Sequence, residues 1–360
     1  MDSKGELGNL RANTGKNTVS SRQESFDTLK FFLAFLVVII HTVYTGYGYA
    51  GAGICAFARI AVPSFFMITG YYLPAMTDEK FKKHLIKIIY LTLFSTLFYI
   101  LLSYVQSHVG SQVSTDWFAQ TFSIKRILKW LLLNDAAIGG GPLWYFYAIL
   151  YVLVIMRIAR KFKIMNILYI VLPFLFLGNY LVSFLGHIAC YRNFLFTGMP
   201  YVLLGCLFRN YENRILDLFH KSQTLITGLV VICVCLGAEM IVYKMAGCSV
   251  GRDHYLLTLP MVICVFILVL RNPHWGSGSF FTLAGKKYSA YIYILHPFFI
   301  SCTQYGLRCM LDETRYQDVM QNTLLLKNSY PFLIFGITLL SVMIGYKVWI
   351  SLSTMKRMKS

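Results

Sequence analysis

Four side chains capable of acid–base or ionic chemistry stand in almost wholly apolar surroundings: His41, Arg59, Glu239 and His296. His41 lies in LKFFLAFLVVIIHTVYTG, residues 29–46, eleven positions after Lys30. Eleven residues is close to three helical turns, about 16 Å of rise, so both side chains leave a helix from nearly one face at different depths. A neutral imidazole whose second nitrogen is held by a partner can take a proton from a hydroxyl at neutral pH. A hydrogen bond to a neighbouring helix is the purely structural alternative. Arg59 interrupts RIAVPSFFMITGYYL, and a guanidinium that never loses its proton must meet a carboxylate, carbonyl, phosphate or water, or snorkel to a nearby surface. Glu239, in LGAEMIVY, stands open between a structural ion pair and a catalytic or proton-relaying carboxylate. His296 precedes Pro297, which frees a backbone carbonyl one turn back, and reads as a packing residue. Arg252, Asp253 and His254 read as a loop edge, although Asp253 and Glu239 are the carboxylates at hand for Arg59 or Arg252.

The elements that must position these groups are membrane helices. Of 360 residues, 57% are hydrophobic and 13% charged. A helix needs about 20 mainly apolar residues to cross about 30 Å of hydrocarbon. Ten stretches qualify: 27–48, 54–75, 83–107, 142–158, 164–185, 194–209, 222–245, 255–271, 287–309 and 328–352. The expected fold is all-α, a polytopic membrane protein built as a bundle of about ten transmembrane helices with lipid as its solvent. The polar residues 1–25 read as a disordered cytoplasmic tail without a leader, followed by one transmembrane domain over 26–355. Within 108–141, SIKRILKWLLLN interleaves Lys125, Arg126 and Lys129 with Ile and Leu, as in an amphipathic helix lying on a membrane surface. GGGPLW, residues 139–144, lacks the Lys and Ser/Thr of a phosphate loop and reads as a turn, a helix start and an interfacial tryptophan.

A formal net charge of +18 raises the question of nucleic acid. Distribution decides against it. If the spans alternate from a cytoplasmic N-terminus, basic residues crowd the inner segments, at Lys80, Lys82, Lys83 and Lys87, at Arg157, Arg160, Lys161 and Lys163, and at Lys356, Arg357 and Lys359. That asymmetry follows the positive-inside rule, places both termini in the cytoplasm and points to the plasma membrane. The nine cysteines contain no C-x-x-C and read as small core residues, so no metal is expected. Cys190 and Cys248 fall near outer loops and could pair there.

FDTLKFFLAFLVVIIH resembles the first helix of the integral-membrane acyltransferase-3 family, whose signature is a basic residue and a histidine 11 positions later. RIAVPSFFMITGYYL, PLWYFYAILYVL, TGMPYVLLGCLF and YSAYIYILHPFF are similar to further segments of that family, in its order. The resemblance implies transfer of an acyl group, commonly acetyl, from cytoplasmic acyl-CoA to a hydroxyl of a cell-envelope glycan or other acceptor. On that reading Lys30, Lys83 and Lys87 attract the phosphates of the donor, and His41 acts as general base or transient acyl carrier. Arg59 binds the acceptor or stabilises the oxyanion, and Glu239 is a further candidate for proton transfer. The chain departs from the family in carrying Lys30 where arginine is usual, and KFKKHLIK where arginines three apart are common. Both changes keep the charge and lose the forked geometry. RIAVPSFFMITGYYL and PLWYF are also similar to the membrane half of the vancomycin-resistance serine racemases, which implies amino-acid transport as the competing function. A non-catalytic envelope component is the third possibility.

Overall fold

The computed structural model describes residues 23–42, 48–108, 116–134, 143–185, 191–247 and 252–359. Residues 1–22 of the predicted tail, Gly139 to Gly141, Cys190 and Cys248 lie outside the described residues. Those described fold into helices joined by turns, with no strand among them. In chain order the helices are α1 Glu24–His41, α2 Gly48–Ala58, α3 Ala61–Tyr72, α4 Asp78–His108, α5 Trp117–Thr121, α6 Ile124–Leu133, α7 Trp144–Lys161 and α8 Met165–Phe184. They continue as α9 Met199–Asn210, α10 Glu212–Leu218, α11 Ser222–Met245, α12 Thr258–Arg271, α13 Phe280–Lys287, α14 Ser289–Met310, α15 Glu313–Asn322 and α16 Leu324–Lys359.

Among the described residues five helices are long and apolar enough to cross a membrane: Ala50–Ala75, Asp78–His108, Met165–Phe184, Ser222–Met245 and Asn328–Thr354. The other predicted spans are helical but fall short for physical reasons. α1 contains Glu24, Asp27 and Lys30, and α7 ends on Arg157, Arg160 and Lys161. α9 and α12 are short, at 12 and 14 residues, and α14 carries Ser, Tyr, His, Thr and Gln among its apolar residues. α1, α7, α9 and α12 lie largely in the interior, packed against neighbouring helices, and α14 buries Ser289, Ile292, Tyr293, Ile294 and His296 in its first two turns.

Two classes of helix result. α4, α8, α11 and α16 turn Phe94, Leu97, Phe174, Leu177, Val234, Ile241, Leu340 and Ile344 outward. On α4 the small polar side chains of Thr92 and Ser95 are buried beside Phe81 and Tyr99, while Tyr90, Leu93, Phe94, Leu97 and Leu101 face outward. That is the reverse of a soluble amphipathic helix and what a lipid solvent selects. The most apolar window of Ala50–Ala75 is instead 61% buried, which makes α3 a core element. α3 packs most extensively on α9, and the approach depends on two glycines. A methyl group on Gly70 would run into the Val202 carbonyl, and one on Gly205 into the Met67 carbonyl. α1 meets α13 in the same way, with Gly285 against the Asp27 carbonyl. Glycine removes the side-chain layer that otherwise holds helix backbones apart.

Contacts separate the two ends of the bundle. At one, the Ser25 N–H donates to the Pro273 carbonyl at 3.2 Å, Arg160 donates to the carbonyls of Leu73 and Met76, and Arg157 pairs with Asp78. At the other, the connection preceding α12 meets residues 191–198, Arg59 and the C-terminal half of α11. The predicted surface helix is present as α6, which buries none of its residues and exposes Ile124, Leu128, Leu131 and Leu132.

Candidate active site

His41 is the last residue of α1 and is partly exposed. Its imidazole lies 5.1 Å, ring centre to ring centre, from that of His296 on α14. His296 is fully buried, with Nδ1 3.2 Å from the carbonyl oxygen of Ile292, while its Nε2 is buried without a partner. Tyrosines surround the pair. Tyr293 lies 6.0 Å from the His296 ring, and Tyr145 packs 5.3 Å from Tyr293. Tyr99 reaches from α4 to donate to the Ile294 carbonyl at 2.5 Å.

Arg59 occupies the turn between α2 and α3, where its N–H still bonds to the Ala56 carbonyl at 3.3 Å. The helix breaks there, and the guanidinium reaches Asp253, with Nη1 2.5 Å from Oδ1. Arg192 approaches the same carboxylate with Nε and Nη2 at 2.8 Å each. Two guanidiniums thus share one carboxylate, and Arg59 Nε is buried without a partner. Both arginines and Asp253 lie within electrostatic reach of the His41 ring. Burial opposes the Asp253 charge, but Arg59 and Arg192 outweigh it and hold the carboxyl below its ordinary range.

The chain segment bearing Arg192 is pinned from several sides. The Asn193 side chain accepts from the N–H groups of Leu195 and Phe196 at 2.9 Å and so caps a wide π-helical turn over Phe194–Gly198. Asn134 takes a left-handed conformation at the end of α6, where an L residue other than Asn is costly. Its Oδ1 accepts from the Phe194 N–H at 2.7 Å and its Nδ2 donates to the Arg192 carbonyl. Asn179 donates to the Phe196 carbonyl at 2.6 Å. Turns of this kind concentrate at functional sites because they aim side chains that a regular helix would not.

The other predicted residues have definite places. The carboxylate of Glu239 accepts from the backbone N–H groups of Leu256 and Leu257, at 2.6 and 3.2 Å, so it ties α11 to the start of α12. Arg252, Asp253 and His254 are not a loop edge: Arg252 stacks on Tyr243, Asp253 is the shared carboxylate, and His254 is buried among Tyr180, Tyr191 and Tyr201. At the far end of α1, Lys30 pairs with the buried Asp27 at 3.1 Å and lies 5.9 Å from the centre of the Tyr72 ring. Lys30 and Lys87 both lie within electrostatic reach of His84, whereas Lys83 points outward to Glu79 at 2.6 Å. The structure thus places Arg59 within electrostatic reach of His41, and Lys30 and Lys87 within reach of the same histidine, His84. It separates Lys83 from them. Among the described residues, no three of His, Cys, Asp and Glu converge as metal ligands would.

Arg192 and Asn134 carry no sequence signal of their own, because each acts through partners remote along the chain. His296 had one, the proline that follows it. The geometry combines a reachable imidazole, hydrogen-bond donors of positive charge and a buried polar lining, as proton transfer from a hydroxyl and stabilisation of a developing oxyanion require. No curated protein and no solved structure matches the chain. Residues 23–347 match the family model of the acyltransferase domain, type 3, which takes in every element of this site. The chain therefore belongs to the acyltransferase-3 family of membrane acyltransferases.

Proposed function

We propose that the protein is a plasma-membrane O-acyltransferase that moves an acyl group, acetyl in the first instance, from cytoplasmic acyl-CoA to a hydroxyl of a cell-envelope glycan. The observation that carries this reading is α1 itself. It holds Lys30 and His41 three turns apart on nearly one face, and its His41 end lies within electrostatic reach of Arg59, Asp253 and Arg192, which pair with one another. The donor's phosphates sit at the Lys30 end, attracted by Lys30 and Lys87, with Lys83 at the periphery; both chain termini lie on that side. The ten helical segments cross the membrane together, the five less apolar ones shielded by the rest.

His41 takes the proton of the acceptor hydroxyl as that oxygen attacks the thioester carbonyl. A C–O bond forms, the C–S bond breaks, and His41 returns the proton to the departing thiolate. Arg59, already held by Asp253, stabilises the oxyanion or fixes the acceptor. The reading is tested by His41→Ala in purified protein reconstituted into vesicles with acetyl-CoA and a hydroxyl acceptor, scored as free thiol. General acid–base catalysis of this kind is worth about 10²–10⁴-fold. A variant that keeps wild-type rates at equal folded amount would sink the proposal. Transport of an amino acid without any donor would replace it.

A further inference from the structure

We propose that His296 is a positioning residue for His41: it fixes the tautomer in which His41 offers a bare nitrogen to the acceptor. The inference rests on the acyltransfer reading above and adds a residue to it.

The tautomer of His296 follows from its own helix. Its Nδ1 faces the carbonyl of Ile292, which only accepts, so Nδ1 carries the hydrogen. Pro297 contributes by lacking an N–H for the Tyr293 carbonyl, and the backbone of Tyr293 hydrogen-bonds the His296 ring as well. A neutral imidazole with Nδ1 protonated has its lone pair on Nε2. That atom is buried and has no partner. Buried acceptors are rarely left unsatisfied, and those that are call for an explanation. The His41 ring beside it supplies one, at 5.1 Å between centres, within reach of one direct bond after closure or one bridging water.

Burial assigns the roles. His296 is 0% exposed and cannot touch an acceptor, whereas His41 is partly exposed at the end of α1. His41 therefore donates its N–H to His296 Nε2 and keeps its other nitrogen bare for the acceptor hydroxyl. When His41 takes the proton it becomes an imidazolium with two N–H groups, and the lone pair of His296 stabilises one of them. A carboxylate does this work in serine hydrolases. At membrane depth a carboxylate would bring a charge that must itself be paired, and a neutral imidazole of fixed tautomer avoids it. The other titratable groups around His296 are Tyr99 and Tyr293, with Tyr145 behind. The carboxylate within electrostatic reach of His41, Asp253, has its oxygens engaged by Arg59 and Arg192, which leaves the role to His296.

The test compares wild type with His296→Leu and His296→Gln, since Gln restores an acceptor where Nε2 lies. With acetyl-CoA and water or glucose as acceptor, kcat falls about 100-fold or more in His296→Leu, while KM for acetyl-CoA stays within about 3-fold. His296→Gln recovers at least about tenfold of that loss. A second readout needs no turnover: solid-state NMR of ¹⁵N-histidine-labelled protein reports one His41 tautomer in wild type and a mixture in His296→Leu. Unchanged His41 nitrogens, or equal kcat in the Leu and Gln variants at equal folded amount, would overturn the proposal. If His41→Ala is inactive while His296→Leu is not, only this inference fails. If His41→Ala is active, the acyltransfer mechanism fails with it.

Discussion

Arg192 grips Asp253 through a forked pair of hydrogen bonds, Nε to Oδ2 and Nη2 to Oδ1, both 2.8 Å. The side chains are about one third and one eighth exposed, so the pair is partly withdrawn from water, and Arg59 adds a second cation to the same carboxylate.

The first prediction follows from that stoichiometry. Removing Asp253 leaves two guanidiniums facing each other, whereas removing Arg59 leaves the Arg192 fork intact. Breaking a buried pair by deleting one partner costs about 3–5 kcal/mol. Asp253→Asn should approach that range and Arg59→Gln should fall well below it, measured by thermal unfolding in detergent. Equal losses would mean that the carboxylate is not shared as described. Arg192→Lys keeps the charge and loses the fork, so it should sit between them.

The second prediction concerns pH. Burial pushes His254 down to about 3, with Asp253 pulling weakly the other way. In the unfolded chain the same group takes a proton below about 6.5. Between those values the unfolded state binds the extra proton, so stability is lost progressively as pH falls from about 6.5 toward 3. Asp253 has the same sign in a lower window: its depressed value stabilises above the ordinary carboxylate pKa of about 3.9, and that contribution vanishes only as pH falls through its folded value. Near pH 5, then, His254 contributes to the slope and Asp253 does not. His254→Gln should reduce the slope of stability against pH there by up to about 1.4 kcal/mol per unit, the linkage of one proton. An unchanged slope would remove His254 as its source.

Much of this architecture was legible from composition and pattern. The apolar stretches marked the helices, and the spacing of Lys30 and His41 marked a shared helix face. Arg59 needed a carboxylate, and the sequence offered Glu239 and Asp253; the choice between them was illegible because it depends on how the connection before α12 folds back onto the α2–α3 turn. Glu239 serves two backbone N–H groups instead. His254 sits beside residues that look like a loop edge, yet aromatic rings from α8 and α9 and from the segment before α9 enclose it. The spans differ in how plainly they read for a related reason. Interior helices need not be apolar all round, so the polar residues that build the site also lower the signal by which a span is recognised.

A third prediction tests the packing that holds α3 in place. Gly205 lies against the backbone of Met67 and Tyr71, so Gly205→Ala must push the two helices apart. Overpacking of this kind costs about 1–3 kcal/mol. Gly237, on a helix face with open space around it, serves as the control. Gly237→Ala should leave the unfolding midpoint unchanged or raise it, because alanine is the better helix former. If both variants behave alike, the close crossing of α3 and α9 is not what positions Arg59 and the turn before it.

The last prediction separates the lysines at the other end of α1. Both lysines have a carboxylate partner, Lys30 the buried Asp27 and Lys83 the exposed Glu79, but Lys30 is about one fifth exposed and lies with Lys87 within electrostatic reach of His84, whereas Lys83 is three quarters exposed. A polyanionic donor gains most from a cation that solvent does not screen and least from one spread into water. Lys30→Gln should therefore raise KM for acetyl-CoA by about tenfold, the effect of about 1.4 kcal/mol, with Lys83→Gln within about twofold of wild type. Raising the salt concentration should weaken donor binding in the wild type more than in Lys30→Gln, because one charge of the attraction is missing from the variant. Equal KM values for the two lysine variants would place the donor's phosphates elsewhere, and an unchanged kcat in Lys30→Gln would show that this residue binds the donor without touching the step carried out at His41.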